Sequence, residues 1–334
     1  MFNNEDLRLA IDRMPRVSLA NIPTPIQELT RLSKFLGGPR ILIKRDDLTG
    51  LGFGGNKVRH MEFCMGDALA RGFDTSVNAN LWISNNSRII GAASKKVGMR
   101  YICVVVGGKN KPNQGNMLIL DLLGTEMHLT ESRDMDEGIR LAGELSEQVQ
   151  KEGGVPYLHP SEPMSRSSGA IGYLDGLLEI NDQLKELQIH EPKIYVVTGA
   201  SHGGLALGVK LLSLPWAIIG VQVAPKDIYF ADTVGWANTA AELMGLPARL
   251  NWEDIDETFD YIGPGYPDPS RQCLEAIRLM AELEGIILEP IYTGKALAAV
   301  IDHIRHGILT SEDTVLFMHT GGLPELFNFA DNFK

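Results

Sequence analysis

Short apolar runs of four to eight residues alternate with longer amphipathic stretches almost from end to end, and that rhythm restricts the chain to an α/β architecture. Arg40–Lys44, Arg100–Val106, Glu126–Leu129, Pro156–His159, Lys193–Thr198, Trp216–Val223 and Thr314–His319 read as strands. Between them, Asn56–Gly72 reads as a helix, with Val58, Met61, Met65 and Leu69 spaced for one buried face. Met117–Gly124, Asp134–Glu152, Ser168–Leu187, Arg271–Gly285 and Gly294–His306 follow the same period, and a further helix begins near Gly203. The pattern fits a doubly wound sheet and leaves open which strands pair. At 334 residues the chain is long for one core and suits two domains, with the Gly/Ser/Pro-rich stretch 160–169 as the crossing between them.

Composition excludes several function classes. A formal charge of −11 disfavours a nucleic-acid partner, because a polyanion is repelled. No apolar run is long enough for a membrane span, and no signal-peptide pattern opens the sequence. Cys64, Cys103 and Cys273 are far apart and form no CxxC pair; Cys64 and Cys103 read as small buried hydrophobes, and a reducing cytoplasm suits the set. The eight histidines show neither HExxH nor a cluster at ligand spacing, so no metal site is expected.

Five segments carry chemistry. In Gly54-Gly55-Asn56-Lys57 a glycine bend delivers a lysine to the first turn of a helix. The positive end of the helix dipole lowers the amine's pKa there and frees it to attack an aldehyde. Thr198-Gly199-Ala200-Ser201-His202-Gly203-Gly204 follows a strand and opens a helix, a layout whose N–H groups and hydroxyls cradle a phosphate. It is neither a nucleotide P-loop nor a dinucleotide fingerprint. Ser84-Asn85-Asn86-Ser87-Arg88 is a polar cluster at a helix start, suited to a carboxylate or hydroxyl oxygen. Pro290-Ile291-Tyr292-Thr293-Gly294-Lys295 and Leu316-Phe317-Met318-His319-Thr320-Gly321-Gly322 complete the set. Each has an ordinary turn or helix cap as its plain alternative.

In combination these segments resemble the D-cysteine desulfhydrase / 1-aminocyclopropane-1-carboxylate (ACC) deaminase family of fold-type II pyridoxal 5'-phosphate (PLP) enzymes. The resemblance takes in Ile22-Pro23-Thr24-Pro25, Gln114-Gly115-Asn116, Gly169-Ala170-Ile171-Gly172-Tyr173 and Leu274–Leu279, nearly the whole chain. It implies two α/β domains with the cofactor in the cleft between them. Residues 1–55 with 170–334 would form a larger PLP-binding domain, and 56–169 a smaller substrate-side domain. A homodimer is also implied.

By the same resemblance Lys57 is the Schiff-base lysine and proton shuttle, and Ser84 acts as base or nucleophile beside the substrate. Asn85 contacts the ring hydroxyl or the substrate carboxylate, and Asn86 lies next to that carboxylate. Thr198, Gly199, Ala200, Ser201, His202 and Gly203 form the phosphate cup, with His60 close by. Tyr266 and Tyr292 are similar to the two active-site tyrosines. Thr293 stands where the ring nitrogen is faced, and the ACC deaminases place Glu there. A neutral hydroxyl stabilises a pyridinium poorly, which favours prompt loss of a β leaving group over ring opening. The expected reaction is therefore β-elimination from D-cysteine or a related β-substituted alanine, giving pyruvate, ammonia and the leaving group. ACC deamination, or a PLP-binding relative with a shifted substrate or lost activity, is the alternative.

Three departures from the family pattern touch the substrate face. Asn80-Leu81-Trp82-Ile83 replaces a Gly-Gly-x-Gln turn, and His60 replaces a second lysine that helps to hold phosphate. Ser161-Glu162-Pro163-Met164 replaces a Gly-Gly-Ser patch and is expected to bring an acidic group near the substrate.

Overall fold

The computed structural model describes residues 2–225 and 232–334. The first half of the chain holds α1 (Asn4–Asp12), β1 (Ile26–Glu28), α2 (Thr30–Leu36), β2 (Arg40–Lys44), α3 (Asn56–Ala70), β3 (Thr75–Leu81), α4 (Asn85–Val97), β4 (Arg100–Val106) and α5 (Asn116–Leu122). It continues through β5 (Glu126–Leu129), α6 (Met135–Lys151), β6 (Pro156–Leu158) and α7 (Pro163–Glu186). Then come β7 (Lys193–Val197), α8 (Ala200–Leu212), β8 (Ala217–Val221), α9 (Thr233–Leu243), β9 (Asp256–Thr258), α10 (Arg271–Glu284), α11 (Thr293–Arg305) and β10 (Thr314–Met318).

The strands form two sheets, one ordered β1-β2-β10-β7-β8-β9 and the other β5-β4-β3-β6. All pairings are parallel except that of the edge strand β1 with β2. The central strands are buried on both sides, as parallel strands covered by helices must be. Ile41, Ile43, Val315 and Phe317 pack toward α10 and α11, while Leu42, Ile194, Val196 and Leu316 pack toward α7 and α8. The smaller sheet is covered by α3 and α4 on one face and by α6 on the other. The architecture is doubly wound, as the alternation required.

Two local readings change. The helix read as beginning at Ser168 starts earlier, since α7 begins at Pro163 and takes in most of the stretch 160–169. Proline suits a first helical turn, where no N–H is needed. The small residues that resembled linker composition serve close packing instead. Ser167 and Ser168 are fully buried, and a Cβ on Gly172 would lie 2.9 Å from the Arg59 carbonyl of α3. The second change is β3, whose Thr75, Ser76 and Asn78 are buried in the middle of the smaller sheet, so no apolar alternation marks it.

Parallel strands end together. The loops after β2, β7 and β10 therefore lie along one edge of the larger sheet, the edge at which α/β proteins hold ligands. The turn after β3, which carries Ser84, meets them there.

Candidate active site

Lys57 occupies the first turn of α3, on a bend pinned from four sides. The Gly55 N–H donates to the Asp46 carbonyl and to Thr49 Oγ1, and the Asn56 N–H donates to the Thr320 carbonyl at 3.0 Å. Arg88 of α4 donates to the Gly52 and Gly54 carbonyls, and Asn56 Nδ2 donates to Ser201 Oγ at 2.9 Å. Gly55 has φ 113°, and a Cβ there would stand 2.9 Å from the Thr320 carbonyl oxygen. Only glycine satisfies both demands. The Lys57 amine itself has no hydrogen bond or ion pair among the described residues, and burial lowers its pKa to about 8. Desolvation is the cause of that shift, where the sequence reading credited the helix dipole.

The start of α8 is open. Gly199 is its cap residue and supplies no side chain. The main-chain N–H groups of Ala200, Ser201 and His202 therefore point out of the helix start without intrahelical partners. The cup is narrower than the sequence implied, because Thr198 Oγ1 donates to Gln222 and the Gly199 N–H donates to Thr233 Oγ1. His202 contributes main chain only. Its ring packs on Gly220 of β8, where burial lowers its pKa to about 4. Gly203 closes the turn, its N–H returning to the Gly199 carbonyl. His60 stands beside the cup with Nε2 3.3 Å from Ser201 Oγ. Burial, and then the Lys57 charge, hold its pKa well below the ordinary histidine value, so the ring is neutral and offers an N–H rather than a cation.

Ser84 caps α4, accepting the Ser87 N–H at 3.2 Å and keeping its own proton for another acceptor. Asn85 Oδ1 accepts from Asn116 Nδ2 at 3.0 Å, and Asn86 follows in the same turn, partly buried. Tyr266 and Tyr292 meet hydroxyl to hydroxyl at 2.6 Å and pack on Ile83, next to Ser84. Gly321 and Gly322 join these pieces. A Cβ on Gly321 would lie 2.6 Å from Gly55 Cα, and one on Gly322 would lie 2.7 Å from Glu289 Cγ and 3.0 Å from Asn85 Nδ2. Thr293 is fully buried at the start of α11.

Glu162 contradicts its expected place. It pairs with Arg71 at 2.7 Å, just beyond the last turn of α3. That end lies about 20 Å along the helix from Lys57, so no acidic group reaches the site from there.

Several residues without an assigned role prove to build the site. Arg88 Nε donates to Asn116 Oδ1, and Asn116 Nδ2 also donates to the Ile83 carbonyl. Lys295 Nζ donates to the carbonyls of Val223, Ile262 and Gly265, fixing the loop that presents Tyr266. Glu289 accepts the N–H groups of Ile291, Tyr292 and Thr293. Asn116 and Lys295 stood within recognisable motifs; Glu289, one residue before Pro290, fell just outside one.

A desolvated, partly buried amine with no partner among the described residues, beside an open helix start, fits a ligand that carries an aldehyde and a phosphate. Fold and site together define an α/β enzyme that holds such a cofactor at the strand ends. The chain belongs to the family described as pyridoxal-phosphate dependent enzyme, whose model matches residues 17–321. It is 36% identical over 327 residues to a D-cysteine desulfhydrase of Klebsiella pneumoniae, covering 96% of this chain and 97% of that one. It is 34% identical to a putative 1-aminocyclopropane-1-carboxylate deaminase of Pyrococcus abyssi, covering 96% of each. A solved structure described as an ACC deaminase homologue superposes with a TM-score of 0.86 at 32% identity, covering 98% of this chain and 97% of that one. The cofactor is PLP, and the fold is that of the fold-type II enzymes.

Proposed function

We propose that this enzyme eliminates the β-substituent of D-cysteine or a related β-substituted alanine, with Lys57 as the residue that binds PLP covalently. The observation that carries the reading is the partly buried Lys57 amine, unpaired among the described residues, beside the uncapped start of α8. PLP supplies an electron sink that acidifies the α-proton of a bound amino acid. The main-chain N–H groups of Ala200, Ser201 and His202, with the Ser201 hydroxyl and the His60 N–H, hold its phosphate. Lys57 Nζ is the base that takes the α-proton, and Ser84 Oγ, with its proton unspent, is the second candidate. Asn85, Asn86 and Tyr266 orient the substrate, and the Tyr266–Tyr292 hydroxyl pair passes a proton toward the leaving group. Residues 56–169 form the substrate-side domain in this reading, and 1–55 with 170–334 the cofactor domain.

The full-length likeness to a D-cysteine desulfhydrase supports elimination. A second reading, ACC deamination, draws on the Pyrococcus relative and on the buried Glu289 behind Thr293. Assaying D-cysteine and ACC side by side separates them. Sulfide with pyruvate is the expected product set, and 2-oxobutanoate from ACC alone overturns it. Lys57→Ala should abolish turnover and the visible absorbance of lysine-bound PLP. Among the described residues no helix is long and apolar enough to cross a membrane, and the three cysteines are free and buried. The thiols support a reducing, cytoplasmic setting. The homodimer follows from the family resemblance and is tested by sedimentation.

A further inference from the structure

Thr293 has one proton and two acceptor positions on its hydroxyl. The Glu289 N–H occupies one acceptor position at 3.1 Å. Among the described residues, the acceptors within reach of the hydroxyl proton are Glu289 Oε1 at 3.2 Å and the Glu289 carbonyl at 3.4 Å. Either way the proton is committed to Glu289, and one lone pair of the oxygen is left over.

Glu289 cannot turn aside to release it. Its Oε1 also accepts the N–H groups of Tyr292 and Thr293, and its Oε2 accepts that of Ile291. Gly322 packs against its Cγ, and the side chain is fully buried. Other titratable groups bear on it from the elements around. Glu325 acts from the C-terminal segment, Cys273 from α10 and Lys295 from α11. Burial raises the Glu289 carboxyl to about 7 against the pull of its hydrogen bonds, so it is largely ionised by pH 8.

We propose that Glu289 is a positioning residue that turns the Thr293 hydroxyl into a pure acceptor, so that Thr293 pairs with the ring nitrogen of PLP only when that nitrogen carries a proton. This rests on the reading that Thr293 faces the ring. An unprotonated ring nitrogen is itself an acceptor, and would meet the hydroxyl lone pair against lone pair. A protonated one supplies the missing donor and stands near a buried carboxylate, which favours its charge. The neutral hydroxyl at 293 therefore does not leave the ring a weak electron sink. A carboxylate acts on the ring through one intervening hydroxyl.

The test uses holoenzyme reconstituted with PLP carrying nitrogen-15 in the ring, read by solid-state nuclear magnetic resonance at pH 8. The wild-type resonance is expected in the pyridinium range. Glu289→Gln and Thr293→Val should move it to the neutral pyridine range, and Thr293→Ser should restore the wild-type position. A wild-type resonance in the neutral range overturns the proposal, as does a pyridinium resonance that persists in Glu289→Gln. If Glu289→Gln does not fold, the threonine pair decides: a pyridinium signal kept in Thr293→Val, or lost in Thr293→Ser, overturns it. Visible absorbance is recorded on the same samples. Its absence in the wild type sinks the cofactor-lysine assignment, a failure distinct from an unresponsive resonance in a fully loaded enzyme.

Discussion

The side-chain amide of Asn56 donates to the hydroxyl of Ser201 at 2.9 Å, and so ties the residue before Lys57 to the first turn of α8. One hydrogen bond holds the covalent and the phosphate-binding ends of the site in register. A net hydrogen bond is worth about 1 kcal/mol, so Asn56→Ala should weaken PLP retention about fivefold. Spectroscopic titration of apoenzyme measures it. At saturation the lysine-bound absorbance should match wild type, and an unchanged dissociation constant would show that the contact does not serve the cofactor.

Burial that lowers Lys57 to about 8 predicts how fast apoenzyme takes up PLP. Only the unprotonated amine attacks an aldehyde, so the rate must rise with pH and level off once the amine is free. Half the plateau should fall near pH 8, where an ordinary lysine would keep climbing to about 10.4. Stopped-flow absorbance from pH 6.5 to 10.5 gives the profile. A midpoint near 10 would mean that the Lys57 amine is not desolvated.

How much of this was legible in the sequence depended on whether a residue acts locally. β2, β4, α3 and α10 declared themselves because their apolar residues follow the period of the element. β3 did not, since Thr75, Ser76 and Asn78 occupy buried positions that alternation expects to be apolar. The start of α7 was hidden because serine and glycine between close helices look like serine and glycine in a linker. In the site, Lys57, Ser84 and the α8 loop stand at helix starts and form contiguous motifs. Arg88, Asn116 and Glu325 instead act on one another across about 200 residues of sequence (Asn116 N–H to Glu325 spans 209). Nothing local signals such a partnership. Thr293 was found and half understood, because the carboxylate that sets its hydroxyl is four residues away and unremarkable in sequence.

The bend that carries Lys57 leans on a buried ion network. Arg59 donates to both carboxylate oxygens of Asp46 and to both of Glu179, and Lys44 adds a second cation at Glu179. Arg59→Met would leave two buried carboxylates with Lys44 as the remaining cation, at a cost of about 3–5 kcal/mol in urea unfolding at neutral pH. The sign with pH follows from Asp46. Despite burial, Arg59 holds its carboxyl well below the usual carboxylate range. That stability is present above the unfolded value of about 3.9 and is lost as pH falls through the folded one. In the variant the transition should begin at higher pH. A variant whose acid unfolding coincides with wild type would mean the network contributes nothing net.

Glu325 runs the other way. It is fully buried, accepts the Asn116 N–H and Asn328 Nδ2 at 2.9 Å each, and burial pushes its carboxyl up to about 7. A raised folded pKa means the folded state holds the proton more tightly, so this contribution is full below the unfolded value of about 4.3 and declines as pH rises past it. Glu325→Gln removes the ionisation while keeping an acceptor for Asn116. Its new amide donor can be met by Asn328, whose Oδ1 has no partner among the described residues and whose side chain can flip to present it. The lost attraction between Glu325 and Arg88 trims the gain. The variant should then be more stable than wild type by about 1–2 kcal/mol at pH 8 and indistinguishable from it near pH 4.5. Urea midpoints at the two pH values decide the matter, and an equal difference at both would show that Glu325 is not ionising in the folded protein.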